Sequence, residues 1–462
     1  KICVRWGSDP HFRMNLNIQK ILLRLVNGLG PHDIDRGLRL GILSSALTKV
    51  VGFALALLVS IILAHVLGAE IYGVYAYALS WGMVLSVAAV FGTDVLSARE
   101  VAKTASHGNG NRVRDFICWS VRVVIVRCIG LTLLACLALM TFKKVLEPNR
   151  TAALWSALPI LSLLAFLRLG QGILQGLGFV TKAQVPILLL VPVVFLTTIF
   201  SLSLSGIISA NTYLYAYSIS LTVALSLTLF WLMKSGVFRI SLGKHMPVLS
   251  AQWRASTYSL AIAALSAMLN EQIGVIMLGS AVGTESAGLF DVARKAAGFV
   301  AFGLVVINLP LAPLAARLYY GGDIAELQRS TKRAARGALM SGVCVAVVLL
   351  SLGPSLLGYV GPEYKAAYLS LMILTVGQVI NVASGPVGLL LTMTGHENDY
   401  LKALLVSLTL NAFLCAILIG PFGLEGAAVA TSAALATWNI ILVFVVKRRL
   451  SIEPTAFGRI HV

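Results

Sequence analysis

Apolar residues in this chain neither alternate with polar ones, as they would along a half-buried strand, nor keep to one helical face. They fill long blocks that are apolar nearly all round. Each block holds roughly 20 residues or more, enough at about 1.5 Å per residue to cross a hydrocarbon core of about 30 Å. In the first half they run approximately over residues 40–65, 72–96, 116–142, 151–177, 183–205 and 212–233. In the second half they run over 256–278, 287–316, 335–359, 366–394, 400–420 and 424–446. The pattern predicts an all-α polytopic membrane protein of about twelve transmembrane helices. Its units are an N-terminal segment (1–39), a six-helix bundle (40–233), a linker (234–255), a second six-helix bundle (256–446) and a tail (447–462).

Composition fits a chain whose solvent is the bilayer: 58% of the 462 residues are hydrophobic and 12% charged, too little polar surface for a water-soluble fold. The formal charge of +18 is one-sided. Twenty-seven Lys and Arg lie in the N-terminal segment, the even-numbered loops, the tail or the helix ends beside them, and four (Lys143, Lys144, Arg150, Lys365) in the odd loops. Positive charge is retained on the cytoplasmic side, so both termini are expected to be cytoplasmic in an inner-membrane protein. Topology and attraction to anionic lipids account for the charge, and nucleic acid is not an expected partner. The six cysteines show no CxxC spacing, and neither disulfides, a metal nor a cofactor is indicated. Residues 1–31 show no signal-peptide pattern. Ile18, Ile21, Leu22, Leu25 and Leu29, with Lys20 and Arg24 between them, read either as a short surface helix or as a cytoplasmic tail.

The halves repeat. Residues 67–78 recur 215 positions later at 282–293, with Gly68, Glu70 and Gly73 matching Gly283, Glu285 and Gly288, and Tyr75 matching Phe290. At an offset of 217, Leu174, Gly178, Gly206 and Ala210 match Leu391, Gly395, Gly423 and Ala427. Six helices return the chain to the side it left, so the copies have the same orientation, about an axis along the membrane normal. Parallel repeats of this kind enclose a central cavity in transporters. Helices one and seven are expected to face each other across it.

These residues resemble the polysaccharide and O-antigen flippase family, within the superfamily that also holds multidrug and toxic-compound extrusion transporters and lipid II flippases. The resemblance spans most of Leu40 to Leu450. It rests on Leu67-Gly68-Ala69-Glu70 to Gly73-Val74-Tyr75, on Gly92-Thr93-Asp94 to Arg99-Glu100, and on Ala287-Gly288-Leu289-Phe290 with Ala293-Arg294. Asn308-Leu309-Pro310 to Pro313 and Gly423-Leu424-Glu425-Gly426-Ala427-Ala428 complete it. It implies two six-helix bundles packed as a V and open alternately to each face, carrying an undecaprenyl-diphosphate-linked oligosaccharide outward. Glycosyltransferases and a glycan polymerase are then the implied functional partners.

A charged side chain inside the bilayer costs about 2.5–3.5 kcal/mol on insertion scales, so such residues mark cavities or internal ion pairs. Lys49 lies about 13 Å into the first helix by helical rise. Asn270, Glu271 and Gln272 form a polar run in helix seven that cannot all face lipid. Asp291, Arg294 and Lys295, at i, i+3 and i+4, share a face of helix eight, where the aspartate could satisfy both cations. A diphosphate would select Arg and Lys for charge-assisted hydrogen bonds, which makes Lys49, Arg294 and Lys295 the candidate substrate-binding residues. Asn270, Glu271 and Asp291 are the candidates for coupling or for lining the cavity. Arg122 and Arg127 read more readily as structural.

No GxxxxGK[ST] phosphate loop is present, so transport would draw on an ion gradient, the membrane potential or the substrate gradient. The alternatives are an ion-coupled multidrug or metabolite exporter of the same fold, with Glu271 as the coupling acid, and a membrane glycan polymerase or ligase. The longest outer loop has about eight residues (143–150), little room for a catalytic domain, so no enzyme is expected.

Overall fold

The structure, a computed structural model, describes residues 31–106, 110–142, 147–235 and 250–457. Among these it is helical throughout and holds no strand. The first half contains α1 (31–67), α2 (69–106), α3 (Gly110–Thr141), α4 (Pro148–Gly176), α5 (Val180–Leu204) and α6 (Ala210–Lys234). The second contains α7 (Ser250–Ala281), α8 (Thr284–Tyr320), α9 (Ile324–Val360), α10 (362–393), α11 (397–422) and α12 (424–450). All twelve apolar blocks are therefore helices. Most extend a few residues past the apolar window, and α9 begins eleven residues before it, because backbone hydrogen bonding continues into the interface where hydropathy falls. The residues read as a surface helix (18–29) and most of the linker lie outside the described residues.

The repeat has a backbone cause. Gly68 and Gly283, Gly178 and Gly395, and Gly206 and Gly423 all have positive φ, from 53° to 151°. This is a region that only glycine occupies cheaply, so each recurring glycine marks a chain reversal present in both halves. Phe91 and Gly92 also have positive φ and break α2 after Val90. There Arg127 of α3 donates to the Val90 carbonyl and Thr93 Oγ1, each at 3.3 Å, and its guanidinium lies 4.8 Å from the Phe91 ring centroid. Arg127 is thus structural, covering a carbonyl that the break leaves open.

The halves pack about a two-fold that passes between α2 and α8. A Cβ on Gly73 would collide with the Thr284 carbonyl, and one on Gly288 would lie 2.8 Å from both the Ala69 carbonyl oxygen and Gly73 Cα. Ala69 and Thr284 are themselves 215 apart, so these are the same contact made twice. Along their length α2 lies against α7, through Ser80 to Gln272 (2.9 Å) and Phe91 to Tyr258. Helix α1 lies against α8, where Phe53 stacks with Phe302 and meets Phe299 at a tilt. Helices one and seven, expected to face each other across a cavity, both line one, while the direct packing about the two-fold pairs one with eight and two with seven. The largest buried cluster also spans both halves, joining Tyr72, Phe195 and Tyr213 to Phe290 and Tyr364.

Candidate functional site: a cavity between the halves

A cavity of about 490 Å³ lies on the interface between the halves. Its first-half wall comes from α1 (Gly52 to Leu63), α2 (Tyr72, Tyr75), α5 (Ile187 to Phe195) and α6 (Tyr217). Its second-half wall comes from α7 (Glu271), α8 (Arg294, Lys295, Phe299) and α10 (Gln378). One end is sealed by contacts at the turns that carry Gly68 and Gly283, here the Gly68 face. Glu363 Oε1 accepts from the Ala69 amide at 3.2 Å, His65 Nδ1 lies 3.0 Å from the Val360 carbonyl, and Arg150 donates to the Gly279 carbonyl at 2.8 Å.

The helical spacing of α8 brings its three charges together. Asp291 is buried, with a side chain 5% exposed, and holds Arg294 Nη2 and Lys295 Nζ at 2.7 Å each. Burial of a carboxylate is tolerated because two cations and a hydroxyl satisfy it. The hydroxyl is supplied by the other half: Tyr72 of α2 donates to Asp291 Oδ2 at 2.8 Å and accepts from Lys295 Nζ at 3.2 Å. Arg294 has four donors besides the one given to Asp291, and its buried Nε has no hydrogen-bond partner among the described residues. The cluster therefore pairs its own charges and still presents donors to the cavity.

The polar run of α7 is splayed in three directions. Asn270 turns into the second half, donating to Ser407 at 3.0 Å and accepting from Asn411 at 2.7 Å. Glu271 is exposed and lines the cavity, while Gln272 is buried against Ser80. Lys49 is not among the lining residues. It stands one turn from Gly52 and Phe53, which are, on the same face of α1, and has no hydrogen bond or ion pair among the described residues. Sequence reasoning missed Tyr72, Tyr75, Tyr217 and Gln378. The available signal for Tyr72 was its place inside the repeat, where the second copy carries Ala287.

A second, apolar groove of about 510 Å³ runs between α1, α8 and α9 and includes Val348, Leu356 and Tyr359. It shares Leu57, Ser60, Lys295 and Phe299 with the central cavity. The Lys295 side chain therefore stands where an apolar groove meets the cavity that holds the charged groups.

Comparison with known proteins bears on the whole arrangement. The structure is similar to a multidrug resistance MATE family transporter of the MOP superfamily in its inward-facing conformation (TM-score 0.70, 14% identity, covering 88% of this chain and 98% of that one). It is also similar to an outward-facing conformation of such a transporter (TM-score 0.66, 14%, 89% and 95%). A MOP superfamily transporter from Pyrococcus furiosus, described as having a binding pocket of reverse polarity, aligns with a TM-score of 0.65 at 14% identity over 89% and 95% of the two chains. No curated protein matches the chain in sequence. The fold, two repeated bundles around a cavity, is shared with these transporters. The family model for polysaccharide biosynthesis proteins matches residues 38–318, and the chain belongs to that family.

Proposed function

We propose that the protein translocates a lipid-linked oligosaccharide of the polyprenyl-diphosphate type across the inner membrane, with both termini cytoplasmic. Lys295 carries this reading: it lines both the cavity that holds the charged groups and the apolar groove. An amphiphile with an anionic head and a long apolar tail has the chemistry to fill both spaces at once, the diphosphate on the free donors of Arg294 and Lys295 and the tail against α1, α8 and α9. Phosphate oxygens take charge-assisted hydrogen bonds from such donors. Lys49, one turn beyond the lining residues, is placed to meet the anion on entry. Opening of the Gly68 face would have to separate α2 from α8 and so part Tyr72 from Asp291, which links release of Lys295 to the position of the halves.

The test is a protease- or lectin-protection assay in proteoliposomes with a fluorescent polyprenyl-diphosphate oligosaccharide. Arg294→Gln, Lys295→Gln and Asp291→Asn together remove the cations without stranding the buried carboxylate, and should reduce translocation at least tenfold while leaving insertion and melting temperature close to those of the unmutated chain. Full activity in this variant would end the proposal. Ion-coupled export of a small molecule is the second reading, and exposed Glu271 on the same cavity favours it. It requires Glu271→Gln to abolish cation-driven uptake of a non-lipid substrate, and Arg294 and Lys295 to be dispensable.

A further inference from the structure

A separate pocket of about 300 Å³ lies wholly within the second half, between α8, α10, α11 and α12. Its polar lining is Asn308, Asn381, Thr392, Tyr400, Trp438 and Asn439. No Asp, Glu, Lys, Arg or His is among its lining residues. Three of its features belong together. Asn439 Nδ2 donates to Asn381 Oδ1 at 3.0 Å, and Asn381 Nδ2 donates to Gln378 Oε1 at 3.1 Å, so a chain of amides runs from the pocket to Gln378 in the central cavity. Asn308 Oδ1 and Trp438 Nε1 are buried without a hydrogen-bond partner among the described residues, a cost of about 1–3 kcal/mol each unless something occupies the pocket. Tyr400 and Trp438 meet edge to face, with centroids 5.9 Å apart, giving an aromatic wall beside the amides.

This lining excludes most ligand classes. An inorganic cation would need carboxylates or a cage of carbonyls, an inorganic anion would need Arg, Lys or a cluster of amide N–H groups, and a purely apolar ligand would leave the amides unpaired. Amides that both donate and accept, beside aromatic faces, suit an uncharged molecule that presents hydroxyls on its edges and C–H groups on its faces. Asn308 is fourteen residues beyond Arg294 on α8, about 21 Å by helical rise, which is the reach of an oligosaccharide rather than of one sugar. The Pro454 carbonyl, in the segment after α12, lies against Gly385 of the pocket, and Ala456 N donates to the Ala383 carbonyl at 3.1 Å. The broken part of α10 that forms this wall is thereby held in place.

We infer that this pocket binds a neutral sugar unit of the oligosaccharide head, several residues removed from the diphosphate. The assignment rests on the reading above that the diphosphate sits on Arg294 and Lys295. Its test measures, for the full chain in nanodiscs, affinity for a polyprenyl diphosphate without sugar and for the same lipid bearing oligosaccharides built from hexose, N-acetylhexosamine or deoxyhexose units. At least one glycan should tighten binding about tenfold or more. That gain should disappear in Asn308→Leu and in Trp438→Phe, with affinity for the sugar-free lipid unchanged as the sign of an intact fold. No gain with any glycan, or a gain that both variants keep, would overturn the inference and leave the pocket to water. If the sugar-free lipid does not bind at all, the diphosphate reading fails. The pocket is then judged by saturation transfer from protein to the free oligosaccharides, where loss of signal in Asn308→Leu supports it and an absent or unchanged signal overturns it.

Discussion

Helices α2 and α8 are copies of one another, yet on the face they share by the repeat only α8 carries charge. At the repeat offset of 215, Ala76, Leu79 and Ser80 occupy the positions of Asp291, Arg294 and Lys295. On α2 that face is uncharged: Leu79 lines the cavity wall, and Ser80 donates to the Ala76 carbonyl and to Gln272 of α7. On α8 it opens onto the cavity and the apolar groove. The backbone contacts through Gly73 and Gly288 are two-fold; the chemistry is not. The asymmetry extends to Tyr72, which reaches Asp291 from the other half, while its counterpart Ala287 has nothing to offer Ala76. The repeated frame closes each half on the other, and one copy alone carries a charged face, which a tyrosine of the other half completes.

The largest expected effect comes from disturbing that charged face unevenly. Asp291→Asn leaves two partly buried cations short of their counter-charge and should cost about 3 kcal/mol of stability, the low end for a broken buried pair, read as a loss of melting temperature and of folded yield. Converting α8 to the residues of α2, with Asp291→Ala, Arg294→Leu and Lys295→Ser together, removes the whole cluster and should leave stability within about 1–2 kcal/mol of the unmutated chain or above it. The triple variant should nevertheless not transport. If it is as unstable as the single variant, the cluster holds the fold and the comparison between α2 and α8 loses its meaning.

A smaller effect, of the same sign at both, is expected at the two glycines. Gly73→Ala and Gly288→Ala each place a methyl group against backbone of the opposite half, where nothing flexible can yield, at about 1–3 kcal/mol of overpacking. Both should lower the melting temperature, Gly73→Ala the more, because its added Cβ would collide with the Thr284 carbonyl whereas that on Gly288 would lie 2.8 Å from the Ala69 carbonyl oxygen. One costly and one neutral substitution would show that α2 and α8 do not cross on a two-fold.

Much of this frame was legible in the sequence, since hydrocarbon thickness fixes the length of an apolar run and an i, i+3, i+4 set of charges must share a helix face. The recurring glycines were visible as well, because a left-handed turn admits few other residues. Pairing of the helices was not legible: blocks that are apolar all round have no preferred face, so nothing local tells α1 to lie on α8 rather than α7. Tyr72 was missed for a related reason. Its role depends on Asp291, 219 residues away, and a lone tyrosine in an apolar helix carries no periodic signal. The run 270–272 was read as a group because its residues are adjacent, whereas successive helical positions point about 100° apart and the three side chains serve three different interfaces.

The smallest expected effect separates two latches on the Gly68 face. Arg150 of the first half donates to the Gly279 carbonyl at 2.8 Å, and Tyr364 of the second half donates to the Ala64 carbonyl at 3.5 Å. The acceptors are 215 apart, so each half fastens the corresponding carbonyl of the other, but with different donors. The Arg150 contact is short and charge-assisted, worth about 1.5–3 kcal/mol when its partner carbonyl is left buried. The Tyr364 contact is at the edge of hydrogen-bond geometry and should contribute well under about 1 kcal/mol. Spin labels on cysteines at exposed Glu70 and Glu285, in a background without the native cysteines, report the separation of the two turns. Arg150→Leu should shift that distance distribution measurably toward a separated population, by about tenfold or more in the equilibrium between closed and open states. Tyr364→Phe should shift it less than about threefold. If Tyr364→Phe opens the face as far as Arg150→Leu, both donors hold it equally and the asymmetry between the halves is confined to the charges on α8.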